Sequence, residues 1–194
     1  MISLDLRHPV WEQVYMVAPL TIVGTREPDG TYDLAPKHMA MPMSWQDHYG
    51  FVCTSSHATY INARREGCFT VSFPRPEQIV LTSLAAGPRC DDDHKHSLRA
   101  IPTISASTVN GVLLQDAYLQ LECELERVVD DLGANSLIIG RIVAAAVAED
   151  SVREADRDAR EMIARAPMLA YVHPGRFAKI HDTHAFPFHA GFKR

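Results

Sequence analysis

The chain has 194 residues, of which 46% are hydrophobic, and its formal net charge at pH 7 is −5. This length and composition predict one globular domain with a sizeable core. The acidic balance argues against a nucleic-acid partner, because binding a phosphate backbone needs a basic face, and the lack of an apolar run of about 18 residues argues against a membrane partner.

The first predicted elements form a hairpin. Residues 14–26 are apolar and β-branched, which predicts a strand with an edge or bulge at Pro19, because proline cannot donate a ladder hydrogen bond. A turn at residues 27–30 contains Pro, Asp and Gly, and a return strand starts over residues 31–35. The hairpin is therefore expected to extend from residue 14 to about residue 36.

A short helix is predicted between two strands in the next segment. Residues 49–54 and Cys68–Phe73 are apolar and predict strands, and residues 60–66 between them fit one to two helical turns. Thr59 is the expected N-cap of this helix, and Gly67 suits the position after its last turn.

Two long strands follow in the second half of the chain. Residues 117–128 alternate with a period of two, which is typical of a half-buried antiparallel strand. One face carries Leu119, Leu121, Cys123 and Leu125, and the other carries Gln120, Glu122, Glu124 and Glu126. Residues 136–148 are more continuously apolar and predict a central strand after a turn at 130–133.

The last elements are a helix and a return to the sheet. A capping box at residues 151–154 and apolar residues at helical spacing predict an amphipathic helix over 152–166, which ends at Pro167. Residues 168–180 are expected to rejoin the sheet with a turn or bulge at 174–175. Six or more antiparallel strands and two helices favour an all-β barrel with helical insertions over a parallel α/β sheet.

The first candidate site is the hydroxyl-rich loop at residues 54–62, before the first helix. A helix N-terminus presents unpaired N–H groups and a partial positive charge, which suit a phosphate. Candidate ligands are Ser55, Ser56, Thr59 and Asn62, with His57 as a cation. The alternative is an ordinary capped helix after a polar turn.

A second candidate site follows the strand break at Pro36. Lys37 and His38 place two donors there, and a strand that stops pairing exposes backbone groups that can read the edge of a planar ring. The alternative is a surface loop with a Met-rich core segment behind it. The segment 86–116 is rich in Gly, Pro, Asp and Ser, and is a candidate cover for the active site.

Metal binding is considered for residues 90–96, which include one Cys, three Asp and two His. Imidazole and thiolate suit zinc, but consecutive residues cannot all converge on one ion, so a solvated loop is favoured and no metal ligand is assigned. The cysteines lie far apart, which indicates reduced thiols, mostly in strands, of a cytoplasmic protein: Cys53, Cys68, Cys90 and Cys123. The C-terminal histidines and aromatics are expected in an ordered tail that packs on a neighbour: His173, His181, His184, His189, Phe186, Phe188 and Phe192. No nucleophile signature, GxGxxG or P-loop is present, and no catalytic residue is assigned.

In these segments the chain resembles the flavin reductase-like family, whose members bind FMN in a split β-barrel. Residues 33–36, Asp-Leu-Ala-Pro, resemble the Asn-Leu-Ala-Pro segment that lines the flavin. Residues 57–62 and Phe69 resemble the family pattern Lys-Asp-Thr-x-x-Asn, which Phe follows seven residues later. The resemblance extends over roughly residues 15–180 through the stretches 17–23, 28–30, 44–47, 121–125 and 137–143.

The chain departs from the family pattern at five positions. Asp33 replaces Asn, residues 57–58 are His-Ala instead of Lys-Asp, and Lys37 and His38 replace an aromatic-Ser pair. Losing the loop lysine removes a fixed positive charge near the phosphate. Lys37, Arg64 or the histidine at position 57 could substitute for it.

The resemblance implies a mainly β fold, an antiparallel, Greek-key-like split β-barrel with a few peripheral helices. It implies a single domain over residues 1–194, with a C-terminal tail from about residue 181. The implied activity is the transfer of a hydride from NADH or NADPH to N5 of FMN, with reduced flavin supplied to an acceptor such as a partner oxygenase. A homodimer is also implied, for which the strand at 136–148 and the aromatic tail would suit an interface.

The resemblance also implies which residues bind the cofactor. The isoalloxazine ring would lie against Ala35, Pro36, Lys37 and His38. The phosphate would be held by Ser55, Ser56, His57, Thr59 and Asn62. Ser72 would border the site, and His173 would lie near the nicotinamide or the ring edge.

Two other functions stay open at this point. The first is an FMN-containing electron-transfer protein with no nicotinamide reaction of its own. The second is a split barrel that binds haem or a metal, which the ten histidines motivate. The sequence does not choose between NADH and NADPH, or between FMN and FAD.

Overall fold

Twelve strands and three α-helices form the regular structure of residues 1–191, the part of the chain described by the computed structural model. The strands are β1 (Met16–Pro19), β2 (Thr21–Arg26), β3 (Tyr32–Lys37), β4 (Ala40–Pro42), β5 (His48–Thr54), β6 (Cys68–Phe73), β7 (Thr103–Ser105), β8 (Val112–Leu114), β9 (Leu119–Leu132), β10 (Asn135–Val147), β11 (Met168–His173) and β12 (Arg176–Ile180). The helices are α1 (Ala58–Glu66), α2 (Ile79–Ala85) and α3 (Ala159–Arg165). Short 3₁₀ turns occur at Val10–Glu12, Pro76–Gln78, His96–Ala100 and Glu149–Ser151.

The central sheet has seven antiparallel strands in the order β3-β2-β6-β9-β10-β5-β4. A three-stranded sheet, β1-β11-β12, and a two-stranded sheet, β7-β8, complete the architecture. The prediction of a mainly β, antiparallel fold with a few helices is confirmed, and β10 lies inside the sheet as expected. No helix in residues 1–191 is long and apolar enough to span a membrane.

The main core lies between the central sheet and helix α1. Phe51 of β5 and Phe69 of β6 are fully buried and meet edge to face, with ring centroids 5.1 Å apart. Gly140 allows this packing, because a Cβ at that position would lie 2.6 Å from the ring of Phe69. The core therefore depends on a small residue in β10 opposite a large one in β6.

The alternation of β9 is confirmed, with one difference. Leu121 and Cys123 are buried on the core face, and Glu124 and Glu126 are exposed on the other. Glu122 lies on the outer face but is only 5% exposed, because the segment before β8 covers it. Its carboxylate accepts hydrogen bonds from the backbone N–H groups of residues 107–109, at 2.6–3.0 Å.

The N-terminal hairpin is shorter than predicted. It consists of β2 and β3 alone, whereas β1 pairs with β11 in the small sheet. Proline 19 ends β1 where it cannot donate a ladder hydrogen bond, and the chain enters a different sheet at Thr21. The predicted turn at 130–133 is also displaced, because β9 continues to Leu132 and the turn centres on Gly133, with φ 66°.

The third helix begins later than the capping box indicated. Ser151 closes a 3₁₀ turn instead, and α3 starts after Asp158, whose carboxylate accepts a hydrogen bond from the N–H of Arg160. Residues 152–157 are all exposed, so no packed apolar face supports a helix there. The predicted end before Pro167 and the return over β11 and β12 are confirmed.

Candidate functional site

An open cleft of about 610 Å³ lies between the end of β3, the start of α1 and the segment after α2. It is called the first cleft below. Seven of the eleven residues predicted to bind the cofactor line it: Ala35, Pro36, Lys37, Ser56, His57, Thr59 and Asn62. The structure thus places the two candidate segments, which the resemblance assigned to one cofactor, in the lining of a single cleft.

The N-terminus of α1 forms one side of this cleft. The N-cap is His57, with φ −78° and ψ 144°, and its side chain makes no capping hydrogen bond. The prediction of Thr59 as the N-cap is wrong, because Thr59 lies inside the first turn and is 2% exposed. The first turn of this nine-residue helix therefore has no side-chain acceptor from its own N-cap, which leaves its N–H groups suited to an anion.

Asn62 has a different geometry from that of a free phosphate ligand. It is 2% exposed, its Nδ2 donates to Thr25 Oγ1 at 3.3 Å, and its Oδ1 accepts from Arg65 Nη1 at 2.8 Å. Arg65 also donates to the carbonyl of Arg26 and lines the first cleft. Asn62 thus joins α1 to β2 and positions a guanidinium that the sequence analysis missed, three residues further on the same helix face.

Lys37 lies on the β3 side of the cleft. Its Nζ is 3.5 Å from Sγ of Cys53, which is buried in β5. No carboxylate of residues 1–191 forms an ion pair with Lys37, so its charge is available to an anionic group in the cleft.

Four charged residues of the lining come from the β2–β3 hairpin and the segment after α2: Glu27, Asp33, Arg89 and Lys95. They are called the charged wall below. Lys95 Nζ is 2.9 Å from Asp33 Oδ1, in an ion pair without hydrogen-bond geometry, and it donates to the carbonyls of Leu34 and Ala85 at 3.0 and 3.2 Å.

Arg89 completes this wall through contacts with both acidic members. It pairs with Glu27, and its Nη2 is 3.8 Å from Asp33 Oδ1. Burial opposes the charged form of Arg89, but hydrogen bonding to Glu27 and the charge of Asp33 raise its pKa overall. Arg89 and Lys95 come from the segment expected to cover the site, although nothing in its pattern identified these two cations.

Four of the predicted binding residues do not line the first cleft. Ser72 is 1% exposed, and its hydroxyl accepts a hydrogen bond from the N–H of Leu114 at 2.9 Å, which joins β6 to β8. Ser55 is exposed in the turn before α1.

The other two, His38 and His173, lie in a separate aromatic cluster with Tyr171. The ring centroid of His38 is 4.6 Å from that of Tyr171 and 5.7 Å from that of His173. Burial lowers the pKa of His38, and the charges of His173 and Lys37 lower it further. Both ring nitrogens of His173 are buried without a hydrogen-bond partner in residues 1–191.

Three side chains of the segment 90–96 converge more than the sequence analysis expected. Possible ligand atoms of Cys90, Asp92 and His96 lie within 4.8 Å of one another. All three residues are exposed, and an ion pair of 3.0 Å between Asp92 and His96 accounts for one of these contacts. All four cysteines are free thiols. The predicted tail has no regular structure over residues 181–189, and Phe192 lies outside the described residues.

The chain was compared with known protein families, protein sequences and solved structures. The flavin reductase like domain matches residues 14–181. No curated protein sequence matches the chain significantly.

Solved structures share its fold at low sequence identity. Nitrilotriacetate monooxygenase component B from Bacillus cereus aligns with a TM-score of 0.81 and 18% identity, over 96% of this chain and 98% of that one. Flavoredoxin of Desulfovibrio vulgaris (Miyazaki F) gives 0.78 and 18%, over 98% and 100%. An FMN-binding protein from Thermus thermophilus, solved with bound 1-cyclohex-2-enone, gives 0.77 and 21%, over 95% and 99%. At these identities the likeness establishes the split-barrel fold.

Proposed function

The chain belongs to the flavin reductase-like family, and we propose that it binds FMN in the first cleft and reduces it with NADH or NADPH. The observation that carries this proposal is the meeting of β3 and the N-terminus of α1 in one cleft. A helix N-terminus and a strand end whose lysine has no carboxylate partner within residues 1–191 line the same space there. A flavin mononucleotide has the matching pair of groups, a phosphate and a planar ring that becomes anionic on reduction.

The phosphate end is assigned to α1. The uncapped first turn offers N–H donors, and Ser56 and His57 lie beside it in the cleft. Thr59 belongs to the same turn, and Arg65, which also pairs with Glu66 at 2.9 Å, is assigned the role of the positive charge that the family places in the loop before the helix. Asn62 contributes by positioning Arg65. Ser55 remains a proposed ligand from the exposed turn.

The ring end is assigned to residues 35–38. Proline 36 removes one backbone donor from β3, and Lys37 carries a charge without a carboxylate partner in the described part of the chain. A cation near N1 and the C2 carbonyl of the ring would stabilise the anionic reduced form. His38 and His173 lie beyond this end of β3, and we propose that they border the nicotinamide or the ring edge.

When bound, FMN supplies the redox chemistry, because its N5 atom accepts a hydride from NADH or NADPH. The residues of the chain bind the phosphate, orient the ring and leave one face of it open to the nicotinamide. No acid, base or nucleophile of the protein is required. This explains how a cleft of binding groups can support catalysis.

A second candidate function is electron transfer through FMN without a nicotinamide reaction. Neighbouring structures named flavoredoxin, from Methanosarcina acetivorans and Desulfovibrio vulgaris, favour it. The first cleft would then hold the same cofactor, and another protein would reduce it. Only the electron donor distinguishes the two functions.

We also propose a cytoplasmic homodimer that supplies a partner oxygenase, as the name of the monooxygenase component B neighbour supports. Strand β10 is paired along both edges, so any contribution from it must come from its faces. The exposed side chains of Tyr15, Met41, Trp45 and Phe186 add apolar surface for such contacts.

The experiment that tests the function is anaerobic reduction of FMN by NADH and NADPH, with and without the protein. Protein-dependent bleaching of the flavin absorbance supports the reductase. Bound FMN that is reduced by dithionite but by neither nucleotide supports electron transfer instead.

A further inference from the structure

A second cleft of about 570 Å³ adjoins the first. The residues of the charged wall, Glu27, Asp33, Arg89 and Lys95, line both clefts, so the two meet at this wall. The second cleft continues along the β2–β3 turn, Tyr32 and the 3₁₀ turn His96–Ala100. A ligand whose phosphate lies at α1 can therefore extend over the wall into the second cleft.

One cation in the second cleft has no side-chain partner within residues 1–191. The wall residues pair with one another, and His94 lies 3.5 Å from Asp29. Arg99 lines the same cleft and is exposed, and its side chain makes no hydrogen bond or ion pair within residues 1–191. A guanidinium in this position presents five N–H donors in a planar arrangement that suits phosphate oxygens.

An aromatic ring lies in the lining of the same cleft. Tyr32 is half-buried, and its hydroxyl donates to Asn110 Oδ1 at 3.1 Å, which fixes the orientation of the ring. Aromatic rings at such positions stack with nucleobases. The lining of the second cleft thus combines an aromatic ring with an exposed guanidinium.

We propose that the second cleft receives the adenosine phosphate end of a dinucleotide whose other half lies at the flavin site. The inference rests on the proposed function, because FMN or the flavin half of FAD in the first cleft fixes where that other half lies. Arg99 binds a phosphate of the adenosine half, and Tyr32 stacks on the adenine. FAD and the nicotinamide dinucleotides share this half.

The direct test is titration of ADP-ribose, which carries the shared half without a flavin or a nicotinamide. Calorimetry on the wild-type protein, R99A and R127A separates the site from general charge effects. Arg127 is the matched control, since it is exposed on β9 and has no partner in the described residues. We expect R99A to weaken ADP-ribose binding by about tenfold or more, the size of one charge-assisted hydrogen bond, and R127A to leave it unchanged.

Two further measurements show which dinucleotide supplies the adenosine half. If it is FAD, R99A weakens FAD binding and leaves FMN binding unchanged. If it is a nicotinamide dinucleotide, R99A raises KM for NADH or NADPH with FMN bound and leaves the FAD-to-FMN affinity ratio unchanged.

Undetectable ADP-ribose binding at millimolar concentration, or affinities for it that are equal in wild type and R99A, would overturn the proposal. If the wild-type protein binds no FMN but binds ADP-ribose in a way that depends on Arg99, the proposed function is contradicted and the proposal for the second cleft is not. The two failures are therefore distinguishable.

Discussion

Lys95 reaches from the segment after α2 to Asp33 of β3, where its Nζ lies 2.9 Å from a carboxylate that is 3% exposed. This ion pair joins two parts of the chain that are 62 positions apart, and it places a cation beside the first cleft. Asp33 occupies a position where the family pattern has Asn. The charge of the cleft therefore depends on an acidic residue that departs from the family pattern.

Replacing Asp33 by Asn should strengthen FMN binding and weaken the fold. The change removes one negative charge from the lining of the first cleft, which should raise the affinity for the anionic FMN about threefold. It also leaves Lys95 without its carboxylate, which should lower the free energy of unfolding by about 1–3 kcal/mol. Flavin fluorescence quenching and urea unfolding measure the two effects. D156N, which alters an exposed carboxylate, is the control, and weaker FMN binding by D33N would contradict the assigned role.

Two serines should separate cofactor binding from stability. Ser56 is exposed in the first cleft, so S56A should weaken FMN binding about fivefold, the contribution of one hydrogen bond, without a change in stability. Ser72 is buried and bonds to Leu114, so S72A should cost about 1–2 kcal/mol of stability without a change in FMN affinity. A loss of FMN affinity in S72A as large as that in S56A would mean that Ser72 belongs to the site.

Asn62 should act through Arg65. N62A removes the bonds to Thr25 and Arg65, both at a buried side chain, and should cost about 1–3 kcal/mol in the free energy of unfolding. R65A should weaken FMN binding with a smaller loss of stability. N62A should also weaken FMN binding, because Asn62 positions the guanidinium of Arg65. In the double variant, the losses of FMN affinity caused by N62A and R65A should therefore not add. Full additivity would show that Asn62 contacts the phosphate independently.

Protonation of Glu122 should lower the stability of the protein at acidic pH. Burial raises the pKa of its carboxyl, but bonds from the backbone of Ser107, Val109 and Thr108 outweigh this effect and lower the pKa overall. A carboxyl whose pKa is lowered in the folded state stabilises the protein above its unfolded pKa, and this contribution disappears as pH falls through the folded pKa. E122Q should therefore lose stability at pH 7 and show a shallower decline between neutral and acidic pH than the wild type. Thermal unfolding over this range checks both effects. E149Q, at an exposed position, should retain the wild-type slope.

The sequence predicted elements well where periodicity and turn chemistry agreed. The bounds Cys68–Phe73 are those of β6, and the alternation around Leu121 and Cys123 marks β9. Prediction failed where a local signal had no packing to support it, as for the cap predicted at Ser151, because the observed cap is Asp158. Only packing decides between these caps, because the residues that separate them bury no face.

The candidate site was predictable in its contiguous segments but not in its distant ones. Seven expected residues from β3 and the start of α1 line the first cleft, since each segment carries its own chemical pattern. Arg89 and Lys95 come from a segment without periodicity, and their roles depend on tertiary ion pairs with Glu27 and Asp33. The position of Ser72 likewise depends on β8 packing over β6, a contact that no local motif encodes.

The most direct test of the central claim is to titrate FMN with the purified wild-type protein and with S56A and to record the quenching of flavin fluorescence. Binding in the first cleft predicts saturation at one flavin per chain, with weaker binding by S56A. The absence of saturable quenching in the wild type would contradict the assignment of this cleft to the flavin phosphate. Equal FMN affinities of the wild type, S56A and R65A would contradict it as well.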